Sequence, residues 1–229
     1  MRSLAQVAAI VAVVGAATYM GFLEKHAGKP SFVVIVGLPT VLFAVYGVFR
    51  ARRDGVLRER FAVRGGDFTI GALTAAGLFG GAYAFTHYVA PLGTPRSGWL
   101  LRIYLQVGDP AVLREKIPYV VAALVVVVVA EEIVWRYLVP TLLEDVVGSR
   151  RAWMVAAVCY SVAHAPTAFS MWREGSGYNP LLPIAALGCG LVWGAVTYRL
   201  GGRLLPSIFS HALFDWAVVM MFRLFGPSV

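Results

Sequence analysis

The chain contains seven apolar runs that are each long enough to cross a lipid bilayer as an α-helix. A spanning helix needs about 20 mostly apolar residues, because the hydrocarbon layer is about 30 Å thick and each helical residue advances about 1.5 Å. Helices also satisfy their own backbone hydrogen bonds in lipid. The sequence therefore predicts an all-α, polytopic membrane bundle of about seven helices, with six or eight also compatible. The predicted spans are 4–23, 32–49, 68–90, 118–143, 152–170, 180–199 and 204–225.

Composition and charge exclude two other classes of protein. With 59% hydrophobic residues and a mean hydropathy of +0.73, the chain is too apolar for a soluble domain of its length. The formal net charge of +8 could indicate nucleic-acid binding, but the basic residues lie in short segments between the apolar runs. That pattern is typical of loops beside anionic lipid. We therefore expect the lipid bilayer as a partner and no nucleic acid.

The densest group of arginines predicts the orientation of the chain. It lies between the second and third spans, and basic loops near span ends face the cytoplasm. We expect this loop and the amino terminus on the cytoplasmic side of the cell membrane, with the first run kept as an anchor. No internal repeat is visible, so residues 1–229 are predicted to form one membrane domain, and the oligomeric state is left open. The arginines are Arg50, Arg52, Arg53, Arg58, Arg60 and Arg64.

Glycines within two of the predicted spans indicate where helices could pack closely. The glycines of the third span (Gly77, Gly80 and Gly81) and those of the sixth (Gly190 and Gly194) have a spacing that permits close helix packing.

Two segments beside the spans are also interpreted from the sequence. Asp67 precedes the third span and is expected to be solvated. The segment Trp99 to Val107 is too short to span and carries Arg102, which indicates an interfacial segment or the end of a broken helix.

A charged hexapeptide follows the apolar run from Ala122 to Ala130. It reads Glu131-Glu132-Ile133-Val134-Trp135-Arg136. Each charge at a helix centre costs roughly +2.5 to +3.5 kcal/mol, whereas a Val or Leu returns only about −0.3 to −0.6 kcal/mol. Glu132 and Arg136 are four residues apart and can pair, while Glu131 points about 100° away around the helix. Glu132 and Arg136 are therefore predicted to be structural, and Glu131 is the candidate general base.

Three more polar residues lie within the predicted spans that follow. His164 belongs to the fifth span, and His211 and Asp215 share one face of the seventh because they are four residues apart. Helical rise from the predicted span ends places Glu131, His164 and Asp215 at similar depth. Residues 118–225 are thus predicted to form a catalytic core of four helices.

The order of these residues resembles a known family. E-E-x-x-x-R, then an aromatic residue and His in Tyr160 to His164, then His-x-x-x-Asp in His211 to Asp215, is similar to the signature of the CPBP family. These are intramembrane endopeptidases related to the type II CAAX prenyl proteases, and they include bacterial sorting and maturation proteases. The resemblance covers about residues 131 to 215. Tyr160 stands where the family usually has Phe, and Asp215 stands where the eukaryotic prenyl proteases have Asn.

The resemblance implies peptide-bond hydrolysis within the membrane. Glu131 and His164 would hold and deprotonate a water molecule, and His211 with the residue at position 215 would support the oxyanion. An ionised Asp cannot donate a hydrogen bond. Asp215 is therefore expected to orient His211 or to stay protonated.

No cofactor is expected, with zinc as the alternative. Family members have been called metalloproteases, and Glu131, His164, His211 and Asp215 would then be the ligands. The H-E-x-x-H spacing is absent from the chain.

Three tryptophans lie deeper than an interfacial belt would place them. Trp135, Trp193 and Trp216 are interpreted as packing residues, and the alternative is that they line a substrate cleft, for which Trp135, Trp216 and Tyr160 are the candidates.

The expected substrate is a membrane-anchored or lipid-modified protein or peptide. Two other functions stay open at this point. A proton-coupled transporter or channel could use buried Glu, His and Asp as a relay, although the two-half repeat common in transporters is absent. The second open function is that of a catalytically silent membrane scaffold with the same fold.

Overall fold

A computed structural model describes residues 2–221, and every regular element within that range is helical. One isolated bridge pairs Arg173 with Gly177. A 3₁₀ turn covers Glu24–His26, and π-helical segments cover Phe85–Val89, Ile133–Leu138 and Ala217–Met221. The α-helices are α1 (Arg2–Gly21), α2 (Pro30–Arg53), α3 (Leu57–Arg60), α4 (Asp67–Ala84), α5 (Ser97–Val107), α6 (Pro110–Glu115), α7 (Ile117–Glu132), α8 (Val139–Val147), α9 (Ser149–His164), α10 (Thr167–Ser170), α11 (Leu181–Arg199) and α12 (Leu205–Trp216).

Within the described residues, six helical stretches are long and apolar enough to cross a membrane, which confirms the predicted polytopic bundle. The predicted seventh span begins with α12 and its π-helical continuation, while residues 222–225 of that span lie outside the described range. The protein is an integral, multi-pass membrane protein. The six stretches are Arg2–Gly21, Pro30–Arg53, Asp67–Val89, Ile117–Val147, Ser149–Ser170 and Leu181–Arg199.

The stretch that joins α7 to α8 lies at the centre of the bundle. Residues 132–140 are all buried. Helix α8 packs against α9, α9 packs against α11 and α1, and α12 packs against α4. A helix that is buried on every side belongs to the core. The charged hexapeptide is therefore enclosed by other helices and does not face lipid.

The outer surface of α2 shows the opposite pattern. Leu42, Val45 and Phe49 are 62%, 62% and 65% exposed. A soluble protein rarely leaves such a continuous apolar stripe in contact with water. These side chains fit contact with lipid tails.

Helix packing confirms one expectation about glycine and overturns the other. A Cβ atom at Gly190 would lie 3.3 Å from Cβ of Ala157 on α9, so α11 and α9 approach closely at this point. Around Gly77, Gly80 and Gly81 a Cβ would meet no atom of another described element within 4 Å, so the packing prediction for the third span was wrong. Helix α4 packs through another face.

That face of α4 is marked by Gly71. A Cβ there would lie 2.8 Å from the carbonyl oxygen of Pro206 at the start of α12. The contact with α12 occurs near the amino-terminal end of α4, and the three later glycines are exposed.

Asp67 is buried, contrary to the expectation that it is solvated. Its exposure is 0%, and its carboxylate pairs with Arg203, two residues before the start of α12. The amino-terminal end of α4 meets the turn between α11 and α12, so a residue that borders a span in sequence is covered by another helix end.

The segment from Trp99 to Val107 forms most of α5, and its polar residues are buried. Nη2 of Arg102 donates to the carbonyl oxygen of Phe22 (3.3 Å), and Nε2 of Gln106 donates to that of Gly21 (2.7 Å). Carbonyl groups at a helix carboxyl end lack partners within the helix. This segment therefore caps α1.

Candidate active site

The charged hexapeptide lies where the helix changes its winding. Helix α7 ends at Glu132, and in the following π-helical segment the amide of Val139 donates to the carbonyl of Val134, five residues back. Pro140 has no N–H, so an α-helix could not form its usual bond to the carbonyl of residue 136. A π-helical turn accommodates such a break, and these turns are frequent at functional sites.

Glu132 bridges an arginine and a histidine. Its Oε2 lies 3.5 Å from Nε of Arg136, four residues along the same chain segment. Its Oε1 lies 2.9 Å from Nδ1 of His211 on α12. The exposed fractions of the Glu132 and Arg136 side chains are 0% and 2%. Because a carboxylate only accepts, Nδ1 of His211 is the donor, and this contact fixes the plane of the imidazole ring.

The other nitrogen of His211 faces two further carboxylates. Nε2 lies 3.4 Å from Oδ2 of Asp215 and 3.8 Å from Oε2 of Glu131. Asp215 and Glu131 have side chains that are 34% and 13% exposed, whereas that of His211 is 5% exposed. One imidazole therefore connects a fully buried carboxylate with two that open toward the surroundings.

Glu131 has a second contact, with the tyrosine of the second motif. The Tyr160 hydroxyl donates to Oε2 of Glu131 at 2.7 Å. Tyr160 itself is buried, and the Arg136 guanidinium lies 5.0 Å from the centre of its ring. The hydroxyl that distinguishes Tyr from the usual Phe therefore touches the candidate general base.

His164 lies beside this tyrosine and makes no direct contact with Glu131. Its ring packs against the ring of Tyr160, with centroids 4.6 Å apart, and Nδ1 lies 2.9 Å from the backbone carbonyl of Tyr160. A carbonyl can only accept, so Nδ1 donates, and in the neutral ring Nε2 carries the lone pair. Among the described residues no hydrogen bond or ion pair joins His164 to Glu131. The structure thus brings Glu131, His211 and Asp215 together and places His164 on the ring of Tyr160.

Trp193, which the sequence analysis interpreted as a packing residue, contacts the candidate catalytic histidine. Its ring stacks on His211 with centroids 3.9 Å apart and planes 22° apart, and its Nε1 donates to Oγ of Ser210 at 3.0 Å. The sequence held one signal: Trp193 lies next to Gly194 and three residues after Gly190, on the helix face that packs closely against another helix.

The other two tryptophans named from the sequence, Trp135 and Trp216, differ in burial. Trp135 is 1% exposed, and its ring lies 5.3 Å from that of Tyr160. Trp216 is half-buried on α12. Both lie on segments that carry site residues, and their part in a substrate cleft stays a prediction.

A catalytic metal ion needs about three protein ligands around one point. Within residues 2–221 no three His, Cys, Asp or Glu side chains lie in an arrangement that could hold a metal ion. Of the four residues proposed as zinc ligands, Glu131, His211 and Asp215 lie together, and His164 packs against Tyr160.

The fold and this cluster define a class of protein: an integral membrane protein whose core contains an acid–base group of carboxylates and imidazoles. Residues 113–217, which carry all three motifs, match the family model described as type II CAAX prenyl endopeptidase Rce1-like. This match supports the resemblance of this part of the chain to the CPBP/CAAX protease family, whose members are intramembrane proteases that act on protein or peptide substrates. Neither the curated proteins nor the solved structures gave a match.

Proposed function

We propose that the protein hydrolyses a peptide bond of a membrane-anchored or lipid-modified protein, with Glu131 as the general base. The observation that supports this role is the difference between the two adjacent glutamates. Glu132 is committed to Arg136 and His211. Glu131 is partly exposed, and its Oε1 forms no hydrogen bond with any described residue. Oε1 is therefore available to accept a proton from a water molecule.

In the proposed reaction, Glu131 removes a proton from water while the water oxygen bonds to the scissile carbonyl carbon. The carbonyl π electrons move to its oxygen and form a tetrahedral oxyanion. When this intermediate collapses, the C–N bond breaks and protonated Glu131 returns its proton to the leaving nitrogen. His164 would orient the water through Nε2, since its Nδ1 is held by the Tyr160 carbonyl.

The oxyanion is assigned to Nε2 of His211. A protonated Nε2 can donate to a developing negative charge, and the Nδ1 contact with Glu132 supplies the preorganised ring position on which such stabilisation depends. Asp215 is a positioning residue in this mechanism, because its Oδ2 lies beside the same nitrogen. Trp193 restricts the ring from its face.

The proposed reaction uses no metal, and it can be tested directly. Purified protein is treated exhaustively with chelators and assayed in liposomes. We expect proteolysis to be unchanged. Loss of proteolysis that zinc restores would instead assign zinc to Glu131, His164, His211 and Asp215.

The function itself is tested on whole membranes. Membrane proteins are compared between cells that carry the wild-type chain and cells that carry Glu131→Gln. We expect at least one membrane-anchored protein to accumulate uncleaved in the variant, and purified wild-type protein should cleave that protein in liposomes. An identical set of protein termini in both strains contradicts the proposal.

The predicted orientation belongs to the same proposal. With the amino terminus and the arginine-rich loop in the cytoplasm of a cell with a single membrane, a cysteine introduced at Arg58 should react with a membrane-impermeant thiol reagent only after the cells are opened. Labelling in intact cells would reverse the orientation.

A further inference from the structure

A pocket borders the proposed catalytic cluster at Arg136. It has a volume of about 230 Å³ and is bordered by the π-helical segment with α8, by α9 and α11, and by the arginine-rich segment between α2 and α4. Arg60, Trp135, Arg136 and Tyr137 are among its lining residues, whereas Glu131, His164, His211 and Asp215 are not. Arg136 is thus the shared wall between this pocket and the cluster.

The lining of this pocket concentrates hydrogen-bond donors that have no acceptor. Within the described residues, six buried side-chain nitrogen or oxygen atoms form no hydrogen bond, and the acceptor among them is Oε2 of Glu132. The other five are donors, and all belong to four residues that line this pocket. They are Nε of Arg60, Nε1 of Trp135, Nη1 of Arg136, the hydroxyl of Tyr137, and Nε of Arg136, which lies 3.5 Å from Oε2 of Glu132. Trp135, Arg136 and Tyr137 are 1%, 6% and 4% exposed. Buried donors are nearly always paired, so this concentration indicates a ligand that offers acceptors.

Charge and shape point to the same class of ligand. Arg60 forms no ion pair with a carboxylate in the described part of the chain, and its guanidinium lies 5.4 Å from the centre of the Tyr137 ring. Gly202 leaves room for it, since a Cβ at that position would overlap with Nη1 of Arg60. Glu144 also lines the pocket but is an exposed residue.

The donors come from a guanidinium on each of two chain segments, an indole and a phenol. A planar carboxylate offers two oxygens in one plane, whereas a phosphate group offers three or four oxygens around a tetrahedral centre. Arginine is also the residue that recognises phosphate in a directional way. Donors from two separate chain segments fit the tetrahedral group better.

We propose that this pocket binds a phosphate group, carried either by an anionic phospholipid head group or by free phosphate. The arginine-rich segment beside it places the pocket where lipid head groups are expected. Binding does not depend on the proposed peptide hydrolysis, because Glu131 and the other predicted catalytic residues are outside the pocket.

The first measurement uses the full-length protein after removal of bound lipid by detergent exchange. Its melting temperature is followed while inorganic phosphate is added, with sodium chloride at equal ionic strength as the control. In parallel, native mass spectrometry measures the retention of phosphatidylglycerol against phosphatidylcholine. Stabilisation by phosphate alone identifies free phosphate, and preferential retention of phosphatidylglycerol identifies the lipid. The absence of both overturns the proposal.

Matched variants locate the binding. Arg60→Gln is expected to weaken binding about tenfold, because it removes a charged donor. Arg58→Gln makes the same change at an exposed arginine that does not line the pocket, and it should bind like wild type. An equal loss in both variants means non-specific attraction and overturns the proposal.

A second variant covers the case in which Arg60→Gln disturbs the fold. Tyr137→Phe removes the unpaired hydroxyl and leaves the ring in place. We expect it to raise the melting temperature of the ligand-free protein while it weakens binding about threefold. If the hydroxyl instead had a structural partner in the protein, Tyr137→Phe would neither raise the melting temperature nor weaken binding. Unchanged binding in Tyr137→Phe overturns the assignment of this pocket.

Discussion

Among residues 2–221 two carboxylates, Asp67 and Glu132, are completely buried, and their surroundings differ. Asp67 uses both oxygens: Oδ1 pairs with Arg203, and Oδ2 accepts from the amide of Arg64 at 2.8 Å. Nε of Arg203 in turn donates to the carbonyl of Leu200. Glu132 accepts from His211 with one oxygen, and its other oxygen lies 3.5 Å from Arg136 without a hydrogen bond among the described residues.

We interpret Asp67 and Arg203 as a pair that holds helices together and the group around Glu132 as part of the proposed catalytic site. A saturated buried ion pair has no bonding capacity left, so it contributes to structure alone. The group around Glu132 extends through His211 to Glu131 and Asp215, which are partly exposed. Its unused donors and acceptors are available to a substrate or an intermediate.

The largest expected effect is on catalysis. Glu131→Gln removes the proposed base without changing side-chain volume, and cleavage should fall by about 10²- to 10⁴-fold. Thermal stability in detergent should stay close to that of wild type, since Glu131 is partly exposed and its Oε2 lies 3.8 Å from Nε2 of His211, beyond hydrogen-bond distance. Cleavage at the wild-type rate would eliminate Glu131 as the base.

Removing either buried carboxylate should destabilise the protein. Asp67→Ala and Glu132→Ala each leave a buried arginine without its partner, which costs about 3–5 kcal/mol. Chemical denaturation in detergent measures this loss. The two variants should differ in cleavage per folded molecule, which we expect to fall only in Glu132→Ala because His211 loses its orientation. Equal cleavage in both variants would end the distinction between the two groups.

Asp215 should have an intermediate effect. Asp215→Ala leaves Nε2 of His211 without its neighbouring carboxylate, and we expect cleavage to fall about 10- to 100-fold, the range seen when a group that orients a histidine is removed. Asp215→Asn keeps a hydrogen-bonding side chain of the same size and should recover most of that loss. If Asn were as damaging as Ala, the negative charge of Asp215 would be required.

The Tyr160 hydroxyl should have a smaller effect. Tyr160→Phe removes one donor to Glu131 and restores the residue usual in the family, so cleavage should fall about threefold, in line with the loss of one hydrogen bond. The fall should appear in kcat and leave KM nearly unchanged. A loss as large as that of Glu131→Gln would make Tyr160 a catalytic residue itself.

The smallest effect is expected where both partners of the saturated pair are replaced. Asp67→Leu combined with Arg203→Met removes two charges together, and such exchanges are often neutral for stability. Unfolding and cleavage should both stay near wild type. The matched exchange, Glu132→Leu with Arg136→Met, should abolish cleavage even where the fold survives. Loss of cleavage in the first double variant would show that Asp67 and Arg203 do more than join helices.

Several features followed from the sequence by itself. The apolar runs predicted the spans, because helix length is set by the thickness of the bilayer and by local hydrogen bonding. The same local periodicity predicted that Glu132 and Arg136 share a face and that Glu131 points elsewhere. The three motifs predicted the family that the segment 113–217 matches.

The tertiary structure decided which helix faces meet. Only the fold shows that His211 reaches Glu132, 79 residues away in sequence, that Trp193 stacks on His211, and that Asp67 is buried against Arg203. From the sequence, Asp67 was expected to be solvated, and Gly77, Gly80 and Gly81 were expected to pack against another helix. Both expectations were wrong. The physical reason is that lipid and the bundle interior are both apolar, so hydropathy does not tell which side of a membrane helix faces its neighbours. Close packing and the pairing of distant charges make that choice.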